Sequence, residues 1–248
     1  MNPSGRINSR GVSPAWSGER RVRIKMRENI RIGNEAASYA IIRSVMPRFR
    51  CFAFALLTAA CATAALFAAG DADAIVVFET AKGNIEIEVD AAHAPLSAAN
   101  FLKYVDGGFY DGGTINRAVR PDNTIRHDVE IQVIQFQIAR ARRPDEFPPV
   151  PLERTSVTGL KHVDGAVSMA RNGPDTATGS FSIVIGNQPE MDFGGKRNPD
   201  GQGFAVFGRV VRGMDVVKAI QASPTGLPGP YGPESLNPPI AIVKAYRR

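Results

Sequence analysis

Cysteine is almost missing from this 248-residue chain: the two present, Cys51 and Cys61, fall in one apolar run. With that run removed, no thiol is left, which excludes disulfides and thiol catalysis even in an oxidising compartment. Histidine is nearly as scarce. His93, His127 and His162 are the only three, and their spacing matches no metal-ligand motif. Structural or solvated roles are expected for them, with no metal and no other cofactor. No Gly-rich phosphate loop joins a strand to a helix, and there is no Gly-x-Ser-x-Gly elbow. Ser180 and Ser182 lie in a strand-like run without a neighbouring base. Charge of one sign is also missing from most of the chain, since residues 75–248 hold 19 basic and 19 acidic groups. A nucleic-acid partner needs a clustered basic surface, so none is expected. Apolar residues at 44% and charged residues at 22% exclude a disordered chain and a polytopic membrane protein.

The basic excess sits at the N-terminal end, where residues 1–50 carry 11 Lys/Arg against 3 Asp/Glu. Residues 1–45 lack core periodicity and read as a mis-assigned start or a disordered basic extension. From Met46 onward, Arg48 and Arg50 precede the apolar run 51–70, which exits through Ala72-Asp73-Ala74. A basic stretch, an apolar stretch and a small-x-small site read as a signal peptide over 46–74, releasing a periplasmic or secreted chain from Ile75. The alternative is an uncleaved inner-membrane anchor, because about 20 apolar residues span a bilayer; a membrane is a partner only in that case. Thr58 stands where a lipoprotein box before Cys61 calls for an aliphatic residue, which argues against lipidation. Residues 75–248 are long enough for one well-buried core and read as a single domain and a monomer.

That domain reads as mostly β. Residues 75–80 and 84–89 flank Ala81-Lys82-Gly83, and the second run alternates apolar with polar, the signature of a strand with one buried face. Glu86 and Glu88 fall on its solvent face. Pro95 opens a helix over 95–105, with Leu96, Ala99, Phe101 or Leu102, and Val105 at helical spacing. Further strands are expected at 114–119, 130–138, 166–170, 181–185, 204–211 and 240–246, and a second short helix at 213–220. Pro/Gly/Asn-rich loops cover 142–151, 172–179, 193–203 and 223–239. Many short strands with such turns indicate a closed barrel or a sandwich.

Catalysis by acid–base pairs, metals or nucleophiles has no support in these residues. Arg117, which follows the Gly112-Gly113 turn at a strand start, would alone read as a surface or paired charge. The ordered segments add more. Val76-Val77-Phe78-Glu79-Thr80-Ala81-Lys82-Gly83-Asn84-Ile85, Ala94-Pro95-Leu96-Ser97-Ala98-Ala99-Asn100-Phe101, Phe109-Tyr110-Asp111-Gly112, Val167-Ser168-Met169-Ala170, Gly173-Pro174-Asp175-Thr176-Ala177-Thr178 and Val206-Phe207-Gly208-Arg209-Val210 together resemble the cyclophilin family of peptidyl-prolyl cis-trans isomerases. The resemblance covers 75–248. It implies an eight-stranded antiparallel β-barrel capped by two helices, and rotation of X–Pro bonds in folding proteins. The implied partners are proline-containing, unfolded or partly folded polypeptides.

The resemblance also implies roles. Arg117 matches the family's catalytic arginine and Gln135 the glutamine that orients it. Asn116 stands where the family has histidine before that arginine. Val133 falls where a pocket methionine is usual, and Met191 where a pocket leucine is. Ala170 and Arg171 fall on the edge that pairs with the substrate backbone. Phe181 matches a core aromatic beside the pocket, and Phe204 falls where many members have histidine. Departures are equally visible. Residues 120–130 replace a shorter loop, Gln135-Phe136-Gln137 replaces Gln-Gly-Gly, and Ser180-Phe181-Ser182 replaces Gln-Phe-Phe. Ser182 thus stands for an aromatic pocket wall, a loss on the order of 1.5–3 kcal/mol of potential burial. Gln132, where a pocket phenylalanine is common, points the same way, and Phe136 or Phe204 are the residues available to refill the space. Two functions follow: an active isomerase, or a catalytically weak module of the same fold that binds proline-containing peptides or a partner.

Overall fold

The computed structural model describes residues 74–142 and 146–248. The expected extension, 1–45, and all but the last residue of the expected signal, 46–74, lie outside the described residues. Among the described residues no helix is long and apolar enough to cross a membrane.

Strands β1 (Ile75–Thr80) and β2 (Gly83–Val89) form the expected hairpin, with Phe78 opposite Ile85 and Thr80 opposite Gly83. The turn demands glycine at 83. Its φ is +132°, and a Cβ there would sit 3.0 Å from the Val216 side chain. Ile85, Ile87 and Val89 face inward, while Glu86 and Glu88 face outward. The two carboxylates are held by Arg248 at 2.8 Å and Arg209 at 2.6 Å, as a solvated outer face requires. Helix α1 (Pro95–Asp106) starts on its proline and buries Phe101, Leu102, Tyr104 and Val105. Its first-turn amides at Leu96 and Ser97 donate to the Glu153 carboxylate, a negative charge at the positive end of the helix.

The remaining elements are β3 (Thr114–Val119), β4 (Val133–Gln137), a single turn α2 (Thr155–Thr158), β5 (Ala166–Met169), β6 (Phe181–Val184), β7 (Val206–Arg212), α3 (Met214–Gln221) and β8 (Ser235–Arg247). All pair antiparallel into a closed barrel in the order β1-β2-β7-β5-β6-β4-β3-β8. Closure leaves no free edge. Helix α1 packs on β7 and β8, and α3 on β2, β3 and β4, so two helices cap the barrel as the resemblance implied.

Apart from shifts of one or two residues at other ends, and the turn α2, which the sequence reading did not include, two strands differ from that reading. Strand β4 begins at Val133 rather than 130, because β6 offers only four partners, from Val184 opposite Val133 to Phe181 opposite Phe136. Strand β8 begins at Ser235, inside the expected loop 223–239. Between Ile240, opposite Ile115, and Ser235, opposite Arg117, the register slips. Pro238 and Pro239 lie in that irregularity, where a residue without an N–H costs the ladder nothing.

Alternation along the strands sorts side chains into two layers. The barrel interior holds Phe78, Phe136, Phe181 and Phe207, with Phe101 from α1 and Tyr110, all at most 0% exposed. The rings of Phe136 and Phe181 stack at 4.4 Å, and the Tyr110 hydroxyl donates to the Gly179 carbonyl at 2.6 Å. A smaller apolar cluster lies on the outer face: Val119, Ile131, Val133, Val184, Met191 and Val206.

Candidate active site

Across four neighbouring strands the register aligns one residue each. Arg117 on β3 is opposite Gln135 on β4, Gln135 is opposite Ser182 on β6, and Ser182 is opposite Ser168 on β5. Their neighbours Ile134, Phe136, Phe181 and Ile183 point into the core. Period-2 alternation therefore sends this polar row to the outer face, and a one-residue slip in any strand would bury it. A cavity of about 490 Å³ opens over the row.

The Arg117 guanidinium is the most constrained group there. Its Nε and one terminal nitrogen donate to the same oxygen of Glu234, at 2.8 and 2.6 Å. The other terminal nitrogen donates to Gln135 Oε1 at 3.2 Å. The Tyr231 ring lies against it, 4.9 Å from Cζ to the centroid. Glu234 is fully buried. Its second oxygen accepts from the Thr124 hydroxyl and the Ile125 amide, both in the inserted loop. Three of the five guanidinium N–H groups are thus committed, and one on each terminal nitrogen is left for a ligand.

Behind Ser168, which lines the cavity, lies the buried His162. Its Nδ1 donates to the Asp192 carboxylate at 2.7 Å, and Nε2 and the Ser168 hydroxyl are hydrogen-bonded at 2.9 Å. Burial alone would raise the Asp192 carboxyl; the bonds from His162 outweigh it and hold the group below its ordinary value. This strut fixes Met191 beside β5. A tight approach holds the next loop too: Gly203 has φ +65°, and a Cβ on it would lie 2.5 Å from the Asp192 backbone. On the far wall the Arg171 side chain donates to both oxygens of Asp200, at 2.7 and 2.9 Å, and to the Gly203 carbonyl. Its guanidinium lies over the Phe204 ring.

The Arg171 fork and the Gln202 amide pull the Asp200 carboxyl down to about 2. Because this lies below the unfolded value of about 3.9, the clasp contributes fully above pH ~4 and is lost as pH falls towards ~2. Thermal unfolding midpoints are expected to drop over that window, and Asp200→Asn to flatten the drop. An unchanged slope in the variant would assign the acid transition to other carboxylates.

These outward residues, a barrel of this order and the chain's segments meet in one family. The model for the cyclophilin type peptidyl-prolyl cis-trans isomerases matches residues 75–246. The chain belongs to that family. Among its relatives, peptidyl-prolyl cis-trans isomerase A of Dickeya dadantii is 34% identical over 157 residues, covering 63% of this chain and 75% of that protein. The isomerase cyp18 of Streptomyces antibioticus is 36% identical over 155 residues, 61% of this chain and 85% of its own length. A crystal structure of a Cryptosporidium parvum cyclophilin superposes with a TM-score of 0.56 at 17% identity, over 71% of this chain and 98% of that one; at that identity the likeness is one of fold. The same parasite protein was also solved in the presence of the dipeptide Ala-Pro.

Arg117, Gln135 and Val133 line the cavity from β3 and β4, Ala170, Arg171, Ser180 and Ser182 from the β5–β6 side, and Met191 and Phe204 from the loop side. Asn116 and Phe181 do not. Asn116 sits at the register slip in β3 and borders a separate hollow beside Pro228 and Leu236. Phe181 is a core ring with no exposure, since its flanking serines take the outward positions. Phe136 is likewise inside, so it does not refill the wall. Gln132 also points elsewhere, towards Gln221. Ile131, one residue earlier, lines the cavity instead, so an apolar side chain stands where Gln132 had suggested a polar one. Glu234, Tyr231, Arg126 and Arg197 went unnoticed in the sequence. Glu234 and Arg117 are 117 positions apart, and no local pattern announces such a pair.

A cyclophilin wall that carries Ser182 instead of a ring leaves room. Ser182→Phe is expected to lower the KM for an Ala-Pro peptide by about fivefold, a fraction of the burial a full ring contributes. A KM that rises or stays put would mean the ring does not reach the substrate.

Proposed function

We propose that this cyclophilin turns X–Pro bonds with Arg117 as its catalytic group, acting as an exported monomer on proline-containing stretches of folding polypeptides. The amide barrier, about 18–20 kcal/mol, comes from conjugation of the prolyl nitrogen with the carbonyl. When the bond twists, that nitrogen regains its lone pair and becomes an acceptor. A guanidinium aimed there binds the twisted state better than either planar state, which is differential stabilisation. No proton is transferred and no covalent bond forms. The ring of the substrate proline fits against Ile131, Val133 and Met191, all buried and apolar. Gln135 and Glu234 are positioning residues that hold the arginine fork in one plane.

The single observation carrying this reading is the held guanidinium, which lines the cavity with two N–H groups uncommitted. A protease-coupled assay on an Ala-Pro peptide tests it, with Arg117→Ala as the comparison. Gln135→Ala is expected to reduce kcat about tenfold with little change in KM, since one hydrogen bond to a charged group is lost. A change confined to KM would make Gln135 a substrate contact instead. A second reading, a binding module without turnover, draws on the polar wall of Ser180, Ser182 and Gln137. Binding of the peptide with no turnover in the wild type would decide for it. Mass spectrometry of the exported protein addresses location: an N-terminus at Ile75 fits release, an intact end at Met46 or Met1 an anchor.

A further inference from the structure

The cavity walls are unevenly charged. Four arginines line it, Arg117, Arg126, Arg171 and Arg197, and no carboxylate does. Three of them are paired with carboxylates outside the lining: Arg117 with the buried Glu234, Arg171 with Asp200 and Arg126 with the exposed Asp128. Arg197 is not. It is half-buried, and among the described residues no carboxylate pairs with it; its guanidinium donates to the Val129 carbonyl at 3.2 Å. Its position is built rather than accidental. The Arg197 amide donates to the Glu190 carbonyl, and its own carbonyl accepts from Arg126 at 2.7 Å. The loops 126–129 and 190–203 are thereby clasped across the cavity mouth, with Arg197 between them. Burial and the charges of Arg117 and Arg126 pull the Arg197 pKa below its ordinary value, although Glu234 and Asp128 oppose the shift.

We propose that Arg197, unanswered in a carboxylate-free cavity wall, selects prolyl bonds that carry an acidic side chain on a residue adjoining the proline. This rests on the isomerase reading of the same site and names its preferred substrate class. An incoming carboxylate would supply the counter-charge the wall lacks. The pair forms at a partly exposed mouth, so the gain is modest: about fivefold for Glu over its uncharged isostere Gln. Lysine at the same position is disfavoured by a similar factor. The preference fades as salt rises past a Debye length of about 10 Å near 0.1 M.

The test uses short peptides with Glu, Gln or Lys immediately before or immediately after the proline, beside an Ala-Pro control. Both kcat/KM and the equilibrium Kd are measured at low and high salt. The expected result is a Glu-to-Gln ratio near fivefold in at least one placement, declining with salt. In Arg197→Gln the ratio should collapse to about one, and in Arg197→Glu it should invert in favour of Lys. Because the readout is a ratio within one protein, partial loss of fold does not mimic it. Turnover of the Ala-Pro control with a Glu-to-Gln ratio of one in both placements overturns the proposal and leaves the isomerase reading standing. Absence of turnover on every peptide overturns the isomerase reading, and the Kd ratio then decides the preference by itself. A ratio that survives in Arg197→Gln also overturns the assignment.

Discussion

Arg117→Ala is expected to cut kcat/KM on an Ala-Pro peptide by about 10²–10³-fold, the usual effect of deleting a donor aimed at developing charge. The loss should fall on kcat. The apolar lining proposed to take the proline ring, Ile131, Val133 and Met191, is untouched by the substitution, so KM is expected to change little. Arg117→Lys separates charge from geometry. An ammonium keeps the positive charge, but it has no planar fork to bridge Glu234 and Gln135 while also facing a prolyl nitrogen. Most of the loss is therefore expected in Lys as well. Near-full activity in Arg117→Lys would show that a point charge suffices and that the hydrogen-bonded frame around the guanidinium is incidental.

That frame explains how a departure-rich sequence keeps a site. The inserted loop after β3 does not hang free of the barrel. Arg120 donates to the carbonyls of Gln221 and Ser223, Asn123 to the Ala118 carbonyl, and Thr124 and Ile125 to Glu234. The atoms of this loop thus complete the surroundings of the carboxylate that holds the arginine. The insertion and Glu234 form one structural unit, and neither makes chemical sense alone.

Much of this was legible in the residues, and the parts that were not share a cause. Strand β2 and the β1–β2 hairpin follow from alternation and a glycine turn, both local. The row from Arg117 to Ser182 follows once alternation is combined with the family's segment order. The misreadings arose where spacing along the chain does not settle facing. Gln132 and Ile131 are neighbours just before β4, where no ladder yet fixes which one points to the cavity. Asn116 lies at a register slip, where the alternation that places Arg117 cannot be carried back by counting. The start of β8 was hidden because prolines normally forbid a ladder position, and here they occupy an irregularity outside it. Glu234 is hardest of all: in the sequence it is one acid in a Pro- and Gly-rich stretch, and only closure of the barrel brings the turn that precedes β8 beside β3.

The stability consequences of the Arg117–Glu234 pair should be lopsided. Glu234 is fully buried, whereas the Arg117 side chain keeps 19% exposure. Removing the arginine strands a carboxylate with no access to water, and such unpaired burial costs about 3–5 kcal/mol. For a domain of this size that corresponds to a fall in Tm on the order of 10 °C. Glu234→Gln strands only a cation that still reaches solvent and Gln135, and a neutral amide keeps an acceptor for Thr124 and Ile125; about 1–2 kcal/mol is expected. The double variant, Arg117→Ala with Glu234→Gln, should then be more stable than Arg117→Ala alone, because the stranded charge has gone. Its activity should stay as low as that of Arg117→Ala. Thermal unfolding and turnover measured on all four proteins thus pull apart two roles of one contact. Recovery of Tm without recovery of rate assigns the arginine to catalysis and the glutamate to holding it. Recovery of both together would mean that Arg117→Ala had failed through unfolding, and that the chemistry lies elsewhere in the cavity.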